Sequence, residues 1–590
     1  MSPLHESPEL EKNQYNASPN DSDFDKQPKG RLSEDDGIVD NLAVGQQNEL
    51  HRSLKGRHMQ MIAIGGAIGS GLFIGSGGSF VDGGPASVII GFLAIGVMIY
   101  LMMQALAELA VMYPINGAFT MYICRFVDPS FGFACAWEYA ISWLTVLPFE
   151  ISAACNIIHY WPGSQGINNA AWITPLLVAL IAIQYFGVRG YGEVEFVLSI
   201  IKITACIGFS ILGIIINTGG VPTDDRGYIG NQYFNLPAEQ NEPAVVMGFK
   251  NGFHGFCSVF VNAAFAYTGT ELTGLAAAEA ANPAKEIPRA SKQVVWRILV
   301  FYVVNLVLVG LDVPSRAAIL TGDGPESRFS PFVIAIRLAG IKALPSIFNA
   351  VILLAVMSVA NSCMFGSTRT VQALAANGMA PKILAYVDRK GRPTAVIILQ
   401  LLFGLLAYIN LADNGGTIFD WLLALSGITV LFVFGSIAIA HIRFRMAWAH
   451  NGHSLDELPF RAVFGVWGSW ICLLINVIAL IASFYTALYP LGGTYLSAEN
   501  WFMSYLAAPL LVFLYCCWKV YSWFVYPEHR PLYVKIKDID IYSGMRESQR
   551  RVSGIDVSDE QRRSSISEME GTKGRKGVKG WMMAGVRNLI

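Results

Sequence analysis

Met61-Ile-Ala-Ile-Gly-Gly-Ala-Ile-Gly-Ser-Gly-Leu-Phe-Ile-Gly-Ser-Gly77 is an apolar stretch crowded with glycine at its middle, and it follows a polar tail. A helix that crosses a bilayer must satisfy every backbone N–H and C=O internally, because hydrocarbon offers no partner. Glycine lets such a helix unwind. Unwinding at mid-membrane makes sense where the freed groups line a cavity, so this segment reads as a membrane helix built to hold something polar.

The composition around it agrees. Over 590 residues, 53% are hydrophobic and only 14% charged, with a mean hydropathy of +0.44. Such a chain is an all-α polytopic membrane protein with the lipid bilayer as its solvent. The net charge of -1 averages a membrane core with tails of different character, and no basic patch reads as a nucleic-acid site. The nine cysteines, scattered along apolar segments without CxxC spacing, read as packing residues. Neither a Walker A motif nor HExxH occurs, so no enzyme, cofactor or metal site is expected.

Residues 1–57 are rich in acidic and basic groups and poor in aliphatics, which predicts a disordered tail without a cleaved signal peptide. Apolar runs long enough to cross a bilayer then recur about twelve times. They centre on 59–81, 85–112, 131–160, 172–188, 194–216, 252–277, 298–313, 343–372, 394–411, 418–442, 465–488 and 502–525. The organisation expected is therefore a cytosolic tail at 1–57, a transporter domain at 58–526 and a cytosolic tail at 527–590. Lys and Arg concentrate in alternate loops, among them Arg125, Arg189, Lys285, Arg289, Lys382, Arg392, Arg443 and Arg445. That bias places both termini in the cytosol of a multi-pass protein. The loop after span seven, with Arg316, Arg328, Arg337 and Lys342, runs against it.

Span one breaks at Gly69-Ser70-Gly71. Five helices later, span six carries Phe265-Ala-Tyr-Thr-Gly269-Thr-Glu271, a second glycine-centred polar interruption. Paired interruptions at matching positions of two halves are the sequence mark of an inverted-repeat transporter. Glycine is also common where membrane helices pack tightly, so the pairing alone leaves a purely structural reading open.

Five segments then resemble the fungal amino-acid permeases of the amino acid, polyamine and organocation superfamily. They are Leu54-Lys-Gly-Arg-His-Met-Gln-Met-Ile-Ala-Ile-Gly-Gly-Ala-Ile-Gly-Ser-Gly-Leu-Phe, Arg125-Phe-Val-Asp-Pro-Ser-Phe-Gly-Phe-Ala, Gly255-Phe-Cys-Ser-Val-Phe-Val, Thr270-Glu-Leu-Thr-Gly-Leu-Ala-Ala-Ala-Glu-Ala-Ala-Asn-Pro283 and Ser330-Pro-Phe-Val-Ile-Ala-Ile. The likeness covers Leu54 to about Tyr542 and is nearest to the broad-range, general permeases. It implies twelve helices in the five-plus-five inverted-repeat fold, with helices one and six broken. It also implies amino-acid import at the plasma membrane with no cofactor and with the proton as coupling ion.

A zwitterionic amino acid needs donors for its carboxylate and acceptors for its ammonium. The second half of span one begins with free N–H groups and a positive dipole end, so Gly69, Ser70 and Gly71 are assigned to the carboxylate. The resemblance assigns the ammonium to the carbonyls of Ala67, Phe265, Ala266 and Thr268, with the Phe265 ring as a lid over the substrate. It also carries Glu271 over as a link to proton coupling. Lys202, in Ser199-Ile-Ile-Lys, is expected as a proton-switched amine beside span one, where relatives place a lysine instead of a sodium ion; snorkelling to the cytosolic face is the competing reading. Glu150, in Leu147-Pro-Phe-Glu-Ile, places a carboxylate after a helix-kinking proline, in the pocket or on the proton path. Glu108, Glu138 and Glu279 lie nearer helix ends and read as structural. Ser358, Asn361, Ser426 and Asn262 are weaker candidates for the cavity edge.

No acidic or basic side chain is clearly placed to select a charged substrate, so broad, mainly neutral specificity is expected; Glu150 is the residue able to overturn this. The alternatives are a narrow-specificity permease or exchanger, and a non-transporting amino-acid sensor, whose longer N-terminal domain 57 residues do not match. In the tails, Arg550-Arg-Val-Ser553 and Arg562-Arg-Ser-Ser565 suit basophilic kinases. Lys12, Lys26 and Lys29 are candidate sites for a ubiquitin ligase, on the strength of the resemblance. The ending Trp581-Met-Met-Ala-Gly-Val-Arg-Asn-Leu-Ile590 lacks the aromatic-Cys terminus of close relatives.

Overall fold

Where the sequence breaks its apolar runs with glycine and proline, the chain turns. A computed structural model describes residues 54–545 apart from 55, 165, 240–242, 281, 317–329, 389–390, 412–414 and 527–528. The tail readings at Lys12, Lys26, Lys29, Ser553, Ser565 and 581–590 lie outside the described residues. Eight helical stretches are long and apolar enough to cross a membrane, and Ala170–Tyr185, Gly252–Ala266 and Thr394–Ile409 are shorter apolar helices. One of the eight, Gly71–Met112, is two spans in sequence: Gly84 leaves helical geometry with φ 77° and ψ 170°, and Pro85 starts the next helix. The described residues thus supply twelve spans, and the fold is an all-α polytopic membrane bundle.

Local chemistry sets the helix starts. The Asp128 carboxylate caps span three by accepting from the Phe131 amide at 2.9 Å, with Pro129 at the first helical position. Ser330 and Pro331 repeat the device at Pro331–Leu338. Span three (Pro129–Ile158) and span eight (Leu344–Ala376) are 30 and 33 residues long, about 45–50 Å at 1.5 Å per residue. Both exceed the bilayer, in keeping with the length of their apolar runs at 131–160 and 343–372. Leu474, Ile481, Val512 and Phe513 point outward and are exposed, the mark of faces that meet lipid.

Two boundaries move. The first helix, Gly56–Gly65, begins before residue 58, and Leu54 is fully buried with its amide donating to the Glu279 carbonyl at 3.2 Å. The last four residues assigned to the disordered tail therefore include anchored chain. Past residue 526, Ile539, Ile541 and Met545 are buried against the bundle, because the spans leave an apolar and polar seat there. Two helices fall in loops where no span was expected, Ala118–Phe126 and Pro331–Leu338, and a short helix, Ala498–Tyr505, overlaps the start of the run expected at 502–525.

The carboxylates near helix ends hold helices together. Glu108 meets Arg445 at 2.5 Å and His441 at 3.0 Å. Glu279 meets Arg369 at 2.7 Å, and the Thr429 hydroxyl donates to Glu138 at 3.2 Å. All nine cysteines are free; seven are buried, while Cys516 and Cys517 are exposed.

Candidate functional site

Span one is helical over Gly56–Gly65, opens between Gly66 and Gly69, and resumes through a π-helical turn at Gly71–Gly75. Span six is helical over Gly252–Ala266, opens through Gly269, and resumes at Leu272–Leu275. Four spans lie between the two, so they run in opposite directions. Their breaks abut. Gly269 has φ 96°, a region open to glycine, and a Cβ there would lie 2.4 Å from the Gly66 carbonyl oxygen. A Cβ on Gly71 would lie 2.6 Å from Ala266 Cα. The glycines are therefore what permits two unwound backbones to touch.

A narrow cleft opens at this junction. Its lining includes Ala67, Gly69, Ser70, Gly71, Phe265 and Thr268, which are six of the seven residues expected to hold substrate. Ala266 is absent from the lining. Its carbonyl instead accepts from the Tyr302 hydroxyl at 2.9 Å, on the side facing span seven. The same hydroxyl lies 2.8 Å from the Ala67 carbonyl, so one tyrosine bridges both breaks. The Phe265 carbonyl takes the Thr268 amide at 3.0 Å. The Phe265 ring stands edge-on to Phe149, 5.6 Å between centroids. Trp143, Val146 and Val359 complete the apolar wall.

Glu150 also lines the cleft. Pro148 sits two residues before it inside span three, where it removes a helical hydrogen bond. Glu150 is fully buried, and the Ser70 hydroxyl donates to its Oε1 at 2.5 Å while Oε2 has no hydrogen-bond partner among the described residues. The first amides of the resumed helix, around Ser70, have no intrahelical acceptor. A donor cluster suited to a carboxylate thus stands against a carboxyl group of the protein itself.

Lys202 and Glu271 lie behind the cleft. Lys202 is buried and does not snorkel: its Nζ donates to the Gly65 carbonyl at 2.5 Å and to Ser358 Oγ at 2.7 Å. Glu195 stands 3.9 Å from it and accepts from Ser358. Ser199 donates to the Met61 carbonyl at 3.0 Å. Span five thereby grips the end of the first half of span one. Glu271 accepts from Tyr139 at 2.9 Å and from the Gly269 amide at 3.0 Å, fastening the second break to span three.

Sequence reasoning missed Glu195 and Tyr302. Glu195, Ser199 and Lys202 fall at i, i+4 and i+7, one face of a helix, and that spacing was available as a signal. Tyr302 carried none, because its partners are backbone carbonyls on other helices. Of the weaker candidates, Asn262 binds Ser79 at 3.1 Å and Asn361 accepts from Gln184 at 3.3 Å. Ser426 is buried. None of these three, nor Ser358, is among the cleft-lining residues.

Comparison with known proteins gives this geometry a context. The family model described as amino acid permease matches residues 58–528. The cationic amino acid transporter 1 of Schizosaccharomyces pombe is 48% identical over 88% of this chain and 87% of its own. The general amino-acid permease GAP2 of Candida albicans is 47% identical over 87% and 86%. An uncharacterized amino-acid permease of Schizosaccharomyces pombe is 50% identical over 84% and 82%.

Proposed function

Because the chain belongs to the amino acid permease family, a family of transporters and not of enzymes, we propose that it imports amino acids across the plasma membrane by proton symport. Both termini face the cytosol in this reading, access alternates around the two broken helices, and specificity is broad and mainly neutral. The observation that carries it is the Ser70–Glu150 hydrogen bond at the mouth of a resumed helix. An ionised Glu150 occupies the Ser70 hydroxyl and repels an incoming carboxylate. A protonated Glu150 releases the hydroxyl and removes the repulsion, so proton and substrate enter together. The Gly69–Gly71 amides then take the substrate carboxylate, and the carbonyls of Ala67, Phe265 and Thr268 take the ammonium.

Lys202 and Glu271 supply the link to the rest of the bundle. A charged Lys202, with Glu195 as counter-charge, holds the Gly65 carbonyl, and loss of its proton loosens span five from the hinge. Labelled uptake in a permease-deficient cell, with and without a protonophore, tests the whole reading. Absence of uptake rejects transport by this chain, and protonophore-insensitive uptake rejects the coupling.

One observation favours a second reading. Glu150 is the carboxylate among the lining residues, and a relative is named for cationic amino acids. A long cationic side chain pairing with Glu150 would give a narrower specificity. Competition by all twenty amino acids against one labelled substrate separates the two.

A further inference from the structure

Span seven carries Arg297 at the join between Pro283–Arg297 and the π-helical Ile298–Val304. The residue is 7% exposed, and Nε, Nη1 and Nη2 all lack a hydrogen-bond partner among the described residues. Two other buried arginines show the contrast: Arg369 is paired with Glu279 and Arg445 with Glu108. A guanidinium keeps its charge at any pH a cell meets. Buried within a membrane bundle, that charge calls for a counter-charge, and none of the described side chains provides one at bonding distance.

Arg297 lines a cavity with Ile64, Ile68, Val294, Ile298 and the rings of Tyr267 and Tyr302. This cavity lies on the far side of the broken helices from the substrate cleft; Ala67 borders both. The hydroxyls in its wall are already committed as donors. Thr270 donates to the Tyr267 carbonyl, Tyr267 to the Phe92 carbonyl, and Tyr302 to the carbonyls of Ala67 and Ala266. The guanidinium is therefore the donor that remains.

We propose that this cavity is a binding site for one small monovalent anion held by Arg297, with chloride the natural occupant. The lining decides the class. Sulfate and phosphate are strongly hydrated and need many donors, which an apolar wall with one guanidinium does not offer. A halide or nitrate sheds water more readily than these and is satisfied by a single cation. Water fills donors' hydrogen bonds and leaves the charge uncompensated. Tyr302 lines the cavity and bridges both breaks, so the bound anion stabilises the conformation in which the breaks touch.

The test uses the full-length protein in lipid nanodiscs and reads thermal unfolding at constant ionic strength. Chloride, bromide and nitrate should each raise the midpoint saturably above gluconate, by about 2–4 °C at a hundredfold excess over Kd, and sulfate should not. Arg297→Gln should abolish the response. Arg297→Lys should keep it with about tenfold weaker affinity, because the charge survives and the planar fork does not. Equal midpoints in chloride and gluconate for the unsubstituted protein overturn the proposal, and so does a full response in Arg297→Gln. Should Arg297→Gln fail to fold, the anion series on the natural chain together with Arg297→Lys decides. Uptake is not read, so the outcome is independent of whether the transport reading holds.

Discussion

At the scale of the residue, Glu150 and Gly269 bear opposite kinds of constraint. Glu150 is chemical: its carboxyl holds the Ser70 hydroxyl, the group that the proposed function gives to the substrate's carboxylate. Glu150→Gln keeps the shape and removes the titration. We expect uptake that no longer rises as external pH falls, measured as initial rates at acid and neutral pH; an unchanged pH slope would remove Glu150 from the coupling. Gly269 is steric. Alanine there adopts a φ of 96° unfavourably and drives its Cβ onto the Gly66 carbonyl. The backbone strain alone is about 1–3 kcal/mol. Gly269→Ala should lower the unfolding midpoint and the uptake together, whereas a stable, active variant would mean that the two breaks separate without penalty.

At the scale of the element, the site is two unwound helices held by neighbours that the sequence reveals unevenly. The breaks were legible because glycines in an apolar run have few other uses. Glu150 was legible because a carboxylate after proline in a membrane span has to face something polar. The grip of span five was half legible: Lys202 stood out, while Glu195 and Ser199 on the same face did not. Tyr302, Val359 and Trp143 were not legible, since a tyrosine, valine or tryptophan in an apolar run looks alike whether it faces lipid or a hinge. The loop helices Ala118–Phe126 and Pro331–Leu338 escaped because each is under ten residues long and lies between the apolar runs. Tyr302 is also where an element-level test is sharpest. Tyr302→Phe deletes the one hydroxyl that joins the Ala67 and Ala266 carbonyls. The loss of about 1–3 kcal/mol corresponds to a 5- to 150-fold shift in the balance between closed and open breaks. With Cys516 and Cys517 replaced by serine, a Val146→Cys probe in the cleft wall should react with a polar thiol reagent faster in the Tyr302→Phe background. Equal rates would show that Tyr302 fills space only.

At the scale of the whole molecule, the chain past the last span acts as a strap across the end of the bundle that carries Arg125. The Val534 amide donates to the Val127 carbonyl at 2.9 Å, Tyr113 donates to the Ile541 carbonyl at 2.6 Å, and Arg125 to the Ser543 carbonyl at 2.7 Å. Arg443 joins the Phe126 and Val534 carbonyls, and His453 meets the Tyr542 hydroxyl at 3.0 Å. Lys519, in span twelve, donates to the His529 and Pro531 carbonyls and pairs with Asp128 at the start of span three. The strap therefore links the end of span two, spans ten and twelve and the helix Ala118–Phe126, elements far apart in sequence. Burial of Ile539, Ile541 and Met545 is worth about 1.5–3 kcal/mol for each side chain at most. Removing the strap also strips acceptors from Tyr113, Arg125 and Arg443, which are polar groups already buried or half-buried. A chain ending at Tyr526 should thus unfold at a lower temperature than one ending at Met545, and the difference should shrink when Ile541→Ala is placed in the longer chain. Identical midpoints for the two truncations would show that the bundle closes this face without the strap.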